Sequence, residues 1–169
     1  MNKGLYVVMG VSGSGKSLIG AELAHALGVE FIEGDDYHTA ENVARMSSGI
    51  PLTDDDRLGW LRALAGRIRV AKEAGRGLVM TCSALKRSYR NILREEGDAG
   101  ELQFIFLRGP RALIAERLIR RRGHFMPSTL LDSQFAALEE PVPEEQAWVC
   151  DIRESPEDLV AALVARASK

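Results

Sequence analysis

The sequence predicts an α/β fold built on a parallel sheet, and the alternation of two kinds of segment predicts it. Five short runs rich in apolar residues alternate with longer segments in which apolar residues recur at helical spacing. Strands that are buried on both faces are apolar throughout, which is typical of a parallel sheet covered by helices. The predicted strands are residues 5–9, 29–33, 78–83, 102–107 and 148–152.

The predicted helices lie between and after these strands. Residues 16–27 carry apolar side chains at helical spacing, and the glycine that follows favours a helix end. Three consecutive aspartates at 54–56 favour a helix N-terminus and predict a helix over 54–74. Pro110 is expected to begin a helix that runs through Arg121, and residues 155–167 are expected to form the last one. The stretch 139–146 is interpreted as a polar connection.

Length and composition indicate one soluble domain, which we predict to span residues 1–169. The chain is 46% hydrophobic and 27% charged, with a net charge of -2, as is ordinary for a globular protein. This balance gives no support to a nucleic-acid-binding protein. The apolar runs are far shorter than the roughly 18 residues that span a bilayer, and no signal peptide is recognisable, so we expect a cytoplasmic protein without a membrane partner. Cys82 and Cys150 lie in predicted strands and are interpreted as reduced core thiols.

A phosphate-binding loop is predicted directly after the first strand. The pattern of a glycine, four residues and then Gly-Lys-Ser lies between a strand and a helix, as the Walker A motif requires. Glycines allow backbone N–H groups to surround phosphates at the positive end of the following helix. We therefore predict binding of ATP, with Lys16 at the β- and γ-phosphates and the Ser17 hydroxyl on Mg²⁺. The residues of the predicted loop are Gly10, Val11, Ser12, Gly13, Ser14, Gly15, Lys16 and Ser17.

The loop alone does not separate a kinase from a GTPase, a motor ATPase or a nucleotide sensor. An Asn-Lys-x-Asp guanine-binding tetrad is missing from the sequence, and motor ATPases need a longer chain. The Asp-x-x-Gly pattern at 56–59 falls at the start of a predicted helix, not after a strand, and is therefore discounted as a GTPase switch.

Acidic and basic side chains follow the next strands at the same predicted edge of the sheet. Asp35 or Asp36 could take a proton from an attacking hydroxyl or help to hold Mg²⁺, or both could be turn residues. His38 is either an acceptor contact or a loop histidine. Lys86 and Arg90 are four residues apart, so a helix from about residue 84 would place both on one face, where they suit an anionic acceptor or are simply solvated.

Two further groups of arginines extend this prediction. Arg45 and Arg57 lie in the insertion after the second strand, where a small acidic substrate would be gripped. Arg117 and Arg121 share a helical face just before a glycine, as in a mobile lid that closes over phosphates. We predict this lid over residues 118–130; a solvated basic helix end is the alternative.

Together these residues resemble the gluconokinase family, the small type within the shikimate-kinase-like branch of P-loop kinases. The resemblance covers nearly the whole chain. It departs from the family pattern at Glu33, where an aspartate is common, and at Asp36, where a nonpolar residue is common. The segments that carry it are residues 9–17, 33–35 with His38, 48–57, 82–86 with Tyr89 and Arg90, and 121–125.

The resemblance implies the P-loop nucleoside triphosphate hydrolase fold and transfer of the γ-phosphoryl group of ATP to the 6-hydroxyl of D-gluconate. It implies that Asp35 is the base and that Glu33 supports the Mg²⁺ site. It also implies that Arg117 lies against adenine, that Arg121 belongs to the lid, and that a homodimer is compatible with the family. The alternatives are a kinase of shikimate or another sugar acid, and a non-catalytic nucleotide-binding module. The implied acceptor-binding residues are Asp35, His38, Arg45, Arg57, Lys86, Arg90 and His124.

Overall fold

The computed structural model describes residues 2–95, 101–120 and 128–169. Within these residues, five strands form one sheet in which every neighbouring pair is parallel. The predicted parallel sheet is therefore confirmed, with small differences at the strand ends. The strands are β1 (Leu5–Met9), β2 (Glu30–Glu33), β3 (Leu78–Thr81), β4 (Leu102–Arg108) and β5 (Trp148–Asp151).

Strand β1 lies at the centre of the sheet, which has the order β2-β3-β1-β4-β5. The chain leaves β1 toward one edge and leaves β4 toward the other edge. In open α/β sheets, ligands bind at the carboxyl ends of strands where the direction of winding reverses. The topology therefore places a crevice directly after Met9, where the predicted phosphate loop begins.

Helices flank the sheet. The helices predicted at 16–27, 54–74 and 155–167 are confirmed within one or two residues, whereas α2 and α6 were not predicted. Helix α2 is short, and its start is marked by Thr39, whose hydroxyl accepts a hydrogen bond from Asn42 N. The helices are α1 (Lys16–Leu27), α2 (Ala40–Ser47), α3 (Asp54–Glu73), α4 (Arg87–Arg94), α5 (Arg111–Arg120), α6 (Ser128–Ala137) and α7 (Pro156–Ala167).

Each face of the sheet has its own apolar core. Trp60 and Leu64 of α3 pack on one face together with Tyr89 of α4. Leu23 of α1 and Leu163 of α7 pack on the other face. Coverage of both faces agrees with the mainly apolar sequences of the central strands.

Residues 139–146 form a polar connection before β5, as predicted, but not all of it lies at the surface. This stretch contains a short 3-10 turn, Pro143–Glu145, whose last residue is only 4% exposed. The connection therefore carries a buried carboxylate into the protein. In the parts of the chain that the structure describes, no helix combines the length and the apolar character needed to cross a membrane.

Candidate active site

The phosphate loop joins β1 to α1 and passes close to α5. Gly13 has a φ of +83°, a conformation that favours glycine. A Cβ added there would lie 2.7 Å from Leu118 Cγ of α5. Only glycine therefore fits between the loop and this helix, and the positive end of α1 faces the cleft at Lys16.

The Lys16 ammonium lies over the first residues of the loop. Its Nζ atom donates hydrogen bonds to Gly10 O at 3.0 Å and to Val11 O at 2.9 Å. Lys16 also lines the cleft in which the acidic residues after β2 are found. The cation predicted to reach the phosphates is therefore held at the mouth of the loop.

Glu33 at the end of β2 connects the loop to β3. Ser17 Oγ donates a hydrogen bond to Glu33 Oε2 at 2.6 Å, and Thr81 Oγ1 donates to Glu33 Oε1. Gly34 N donates to Thr81 Oγ1 at 3.0 Å, and a Cβ on Gly34 would lie 1.9 Å from Thr81 O. The hydroxyl and carboxylate oxygens of this group are the ligand types that Mg²⁺ prefers, so they fit the predicted metal.

A cleft of about 430 Å³ brings most of the predicted site residues together. It extends from the phosphate loop across the ends of β2 and β3 to α2 and α3. The predicted residues that line it are Ser12, Gly13, Gly15, Lys16, Ser17, Glu33, Asp35, Asp36, His38 and Arg57.

A larger crevice of about 770 Å³ lies between the end of α6 and the ends of β4 and β5. Charged side chains that line it form ion pairs with one another: Arg108 pairs with Glu140, and Arg153 pairs with Asp151. Val11 of the phosphate loop lines the crevice, but among the described residues none of the predicted catalytic or acceptor-binding side chains does. Size therefore does not decide which cavity is the site, and we assign the site to the smaller cleft.

The acidic turn after β2 places two carboxylates and one imidazole in the cleft. Asp35 and Asp36 are both exposed on the turn Gly34–Tyr37. The His38 ring stacks on Trp60 with 4.0 Å between ring centroids, and Trp60 Nε1 donates to Gly34 O at 2.8 Å. Burial lowers the pKa of His38, the charge of Asp35 raises it, and the charge of Arg57 lowers it again, with a net decrease. His38 is therefore neutral near pH 7, so one of its ring nitrogens can donate a hydrogen bond and the other can accept one.

The predicted acceptor-binding cations differ in their surroundings. Arg57 lines the cleft, and its Nη1 donates to Tyr89 Oη at 3.0 Å. Lys86 pairs with Asp54 at 3.1 Å, and it lies outside the set of residues that line the cleft. The same holds for Arg45, whose guanidinium pairs with an acidic neighbour on α2 and another on α3. Arg57 is therefore the cation best placed to contact an anionic acceptor.

The prediction that a helix from about residue 84 places Lys86 and Arg90 together on one face was wrong. Helix α4 begins at Arg87, so Lys86 precedes it. Arg90 is 0% exposed and forms two hydrogen bonds with Glu145, at 2.7 and 3.0 Å, and a third with Ala84 O at 2.8 Å. A side chain so enclosed cannot contact a substrate, and Arg90 stabilises the fold instead.

Among the described residues, the remaining predicted nucleotide contact is Arg117 of α5. Arg117 is exposed on α5, and its Nη2 donates to Ile152 O at 2.6 Å, in the connection after β5. Arg121 and His124 lie outside the described residues, as does most of the predicted lid. Their roles stay predictions.

Sequence reasoning missed Gln134 in α6. Its Oε1 accepts a hydrogen bond from Ser12 N at 2.7 Å, and its Nε2 donates to Ser12 Oγ at 3.0 Å. The two residues are 122 positions apart, so no local pattern could connect them. Thr81 was also missed; a polar residue at the end of an apolar strand was its only signal.

Known proteins resemble this chain over most of its length. Residues 5–141 match the family model AAA_33, described as an AAA domain. The chain is 42% identical to the thermoresistant gluconokinase of Escherichia coli (strain K12), covering 95% of this chain and 91% of that protein. It is 50% identical to the gluconokinase of Gluconobacter oxydans (strain 621H), covering 82% of this chain and 77% of that protein.

Solved structures give the same result. A gluconokinase from Sinorhizobium meliloti 1021 superposes with a TM-score of 0.87 at 47% identity, covering 98% of this chain and 92% of that one. A shikimate kinase from Bacteroides thetaiotaomicron has a TM-score of 0.67 at 16% identity, which shows the shared fold alone. Since identity of 40–50% to gluconokinases extends over most of the chain, the chain belongs to the gluconokinase family of P-loop kinases.

Proposed function

We propose that the protein transfers the γ-phosphoryl group of ATP to the 6-hydroxyl of D-gluconate, giving 6-phospho-D-gluconate and ADP. The observation that carries the proposal is one cleft that holds the phosphate loop with Lys16, the carboxylate of Asp35 and the guanidinium of Arg57. A phosphoryl donor, a base and an anion-binding group are the three parts that such a transfer needs. The gluconokinase relatives indicate gluconate as the acceptor.

Each residue of the cleft has a task that follows from its chemistry. The loop amides and Lys16 bind the phosphates and orient the transferred group. Asp35 takes the proton of the attacking hydroxyl, because its carboxylate lies in the cleft and its spacing from Glu33 matches the family pattern. Arg57 binds the acceptor carboxylate, and the neutral His38 hydrogen-bonds an acceptor hydroxyl.

Ser17, supported by Glu33, would hold Mg²⁺. The ion neutralises charge on the β- and γ-phosphates when it is bound. We place Arg117 against the adenine, since it lies beside the connection after β5. Arg121 and His124 are proposed to act from the lid. Lys86 and Arg45 could reach the acceptor only by leaving the aspartates they pair with, so we assign them a secondary role.

The direct test is ADP release in a coupled assay with ATP, Mg²⁺ and a panel of sugar acids at millimolar concentration. We expect D-gluconate to stimulate ADP release far above shikimate and other sugar acids. Lys16→Ala serves as the inactive control, because it removes the cation at the β- and γ-phosphates. Preference for shikimate would indicate the related kinase, and ATP binding without turnover on any acceptor would indicate a nucleotide-binding module.

We further propose that the enzyme works in the cytoplasm, where ATP is available, and that it needs neither a membrane nor a nucleic acid. A homodimer would be compatible with this function. Light scattering during size-exclusion chromatography measures the oligomeric state directly.

A further inference from the structure

Gln134 makes a two-point contact with the phosphate loop from a distant helix. It lies in α6 and lines the cleft together with Ser12, Lys16 and Asp35. Its side-chain amide meets both the backbone N–H and the hydroxyl of Ser12. A paired contact of this kind fixes the orientation of a side chain as well as its position.

The donors and acceptors of this contact allow only one arrangement. The backbone N–H of Ser12 can only donate, so the atom that meets it at 2.7 Å must be the carbonyl Oε1 of Gln134. The other amide atom is then the NH₂ group, which can only donate, so Ser12 Oγ at 3.0 Å is the acceptor. The hydroxyl hydrogen of Ser12 is therefore directed to a different partner.

The position of Lys16 indicates where the partner of the Ser12 hydroxyl lies. The peptide group between Val11 and Ser12 has its oxygen 2.9 Å from Lys16 Nζ, while its N–H meets Gln134. Both ends of this peptide group are thus fixed. Because a phosphate-loop lysine reaches the β- and γ-phosphates, Ser12 lies at the end of the nucleotide where the transferred group is held.

We propose that Gln134 is a positioning residue for phosphoryl transfer, which orients the Ser12 hydroxyl so that it donates a hydrogen bond to an oxygen of the γ-phosphoryl group of ATP. The proposal rests on the proposed function and deepens it. Ser12 contacts the nucleotide, and Gln134 acts through Ser12. The pair therefore distinguishes ATP from ADP, which lacks the group that Ser12 contacts.

The test compares dissociation constants for ADP and for the imido-bridged, non-hydrolysable ATP analogue, each with Mg²⁺, measured by calorimetry. The variants are Ser12→Ala, Gln134→Met and the double variant, since methionine keeps the length of glutamine without its polar atoms. Gln103→Met is the matched control, because the Gln103 amide also bonds backbone oxygens but lies outside the cleft. Thermal unfolding of each variant shows whether it folds.

We expect Ser12→Ala and Gln134→Met each to weaken binding of the analogue about tenfold, as for a lost hydrogen bond to a charged group, while binding of ADP changes by less than about twofold. The double variant should bind the analogue no more weakly than the weaker-binding single variant does, because Gln134 acts through Ser12. Equal weakening for both nucleotides would show a merely structural contact and overturn the proposal. Effects that multiply in the double variant would overturn it as well.

These binding measurements need no acceptor, so they are independent of the gluconate assay. If the wild-type protein does not phosphorylate gluconate but the variants show the coupled loss of affinity, the proposed function is overturned and the role of Gln134 is supported. Turnover of gluconate with unchanged affinities in the variants would do the reverse.

Discussion

Ionisable side chains in the cleft differ in how far their surroundings constrain them. Asp35 and Asp36 are exposed on the same short turn, whereas the His38 ring is stacked against Trp60 and partly buried. Glu33 accepts hydrogen bonds from Ser17 and Thr81 on two different elements. The residues proposed to hold the metal are thus fixed by neighbours, while the carboxylates proposed to meet the acceptor are exposed.

The assignment of the base to Asp35 can be tested against its neighbour. We expect Asp35→Asn to lower kcat by roughly 10²- to 10⁴-fold, because the amide cannot take the proton of the attacking hydroxyl. Affinity for ATP should be largely unchanged, since the phosphates are bound elsewhere. Steady-state kinetics on Asp35→Asn and Asp36→Asn distinguish the two candidate bases. If only Asp36→Asn shows this loss of kcat, Asp36 is the base.

His38 gives the stability of the protein a defined pH dependence. Its pKa lies below the ordinary value of 6.5, chiefly because of burial, so the unfolded chain binds the proton more readily than the folded one. This contribution to stability is full above about pH 6.5 and is lost as the pH falls toward the lower pKa of the folded state. A decrease from pH 7 to pH 5 should therefore lower the free energy of unfolding of wild type more than that of His38→Gln. Urea unfolding at each pH measures this difference.

The matched control is His25→Gln, which replaces an exposed histidine of α1. We expect this variant to follow the wild-type curve. If His38→Gln does so as well, the imidazole of His38 is not held neutral by the fold.

At the scale of elements, two ion pairs to one carboxylate join α4 to the connection that precedes β5. The side chains of Arg90 and Glu145 are 1% and 2% exposed, and Arg94 adds a second cation at 2.9 Å. Burial raises the pKa of Glu145, but hydrogen bonds from Arg90, Val142 N and Arg94 outweigh it and hold the pKa at about 2. The carboxylate is therefore charged at all ordinary pH values and depends on its partners for compensation.

Removal of this carboxylate should destabilise the whole fold. We expect Glu145→Ala to lower the free energy of unfolding by about 3 to 5 kcal/mol, because it leaves the Arg90 guanidinium buried without its anion. Denaturant unfolding measures the change. Glu144→Ala, at the exposed neighbouring position, should cost less than about 0.5 kcal/mol, and equal losses in both variants would contradict the role of the ion pair.

At the scale of the whole molecule, the two cores on either side of the sheet enclose both cysteines. Cys82 is 1% exposed and Cys150 is 8% exposed, and both are free thiols. Burial raises the pKa of Cys82 to about 12, so the reactive thiolate is scarce in the folded protein. Reaction of Cys82 with a thiol reagent therefore requires that the structure opens.

This makes Cys82 a reporter of unfolding. In a Cys150→Ala background, we expect labelling at pH 8 to be slow in native buffer and fast in denaturant. The imido-bridged ATP analogue with Mg²⁺ should slow native labelling further, because a ligand that binds only the folded state stabilises it. Mass spectrometry follows the reaction; rapid labelling in native buffer would show that the region around β3 opens locally.

The sequence by itself determined the five strands, the phosphate loop and the acidic turn with Asp35, because their signals are local: apolar runs, glycine spacing and charges next to strand ends. Tertiary structure alone decided the role of Arg90, which looked like a substrate contact beside Lys86 but is neutralised by a carboxylate from a distant connection. It also decided the contacts of Thr81 with Glu33 and of Gln134 with Ser12. Hydrogen bonds depend on distances that only the packed chain sets, and local sequence patterns do not contain them.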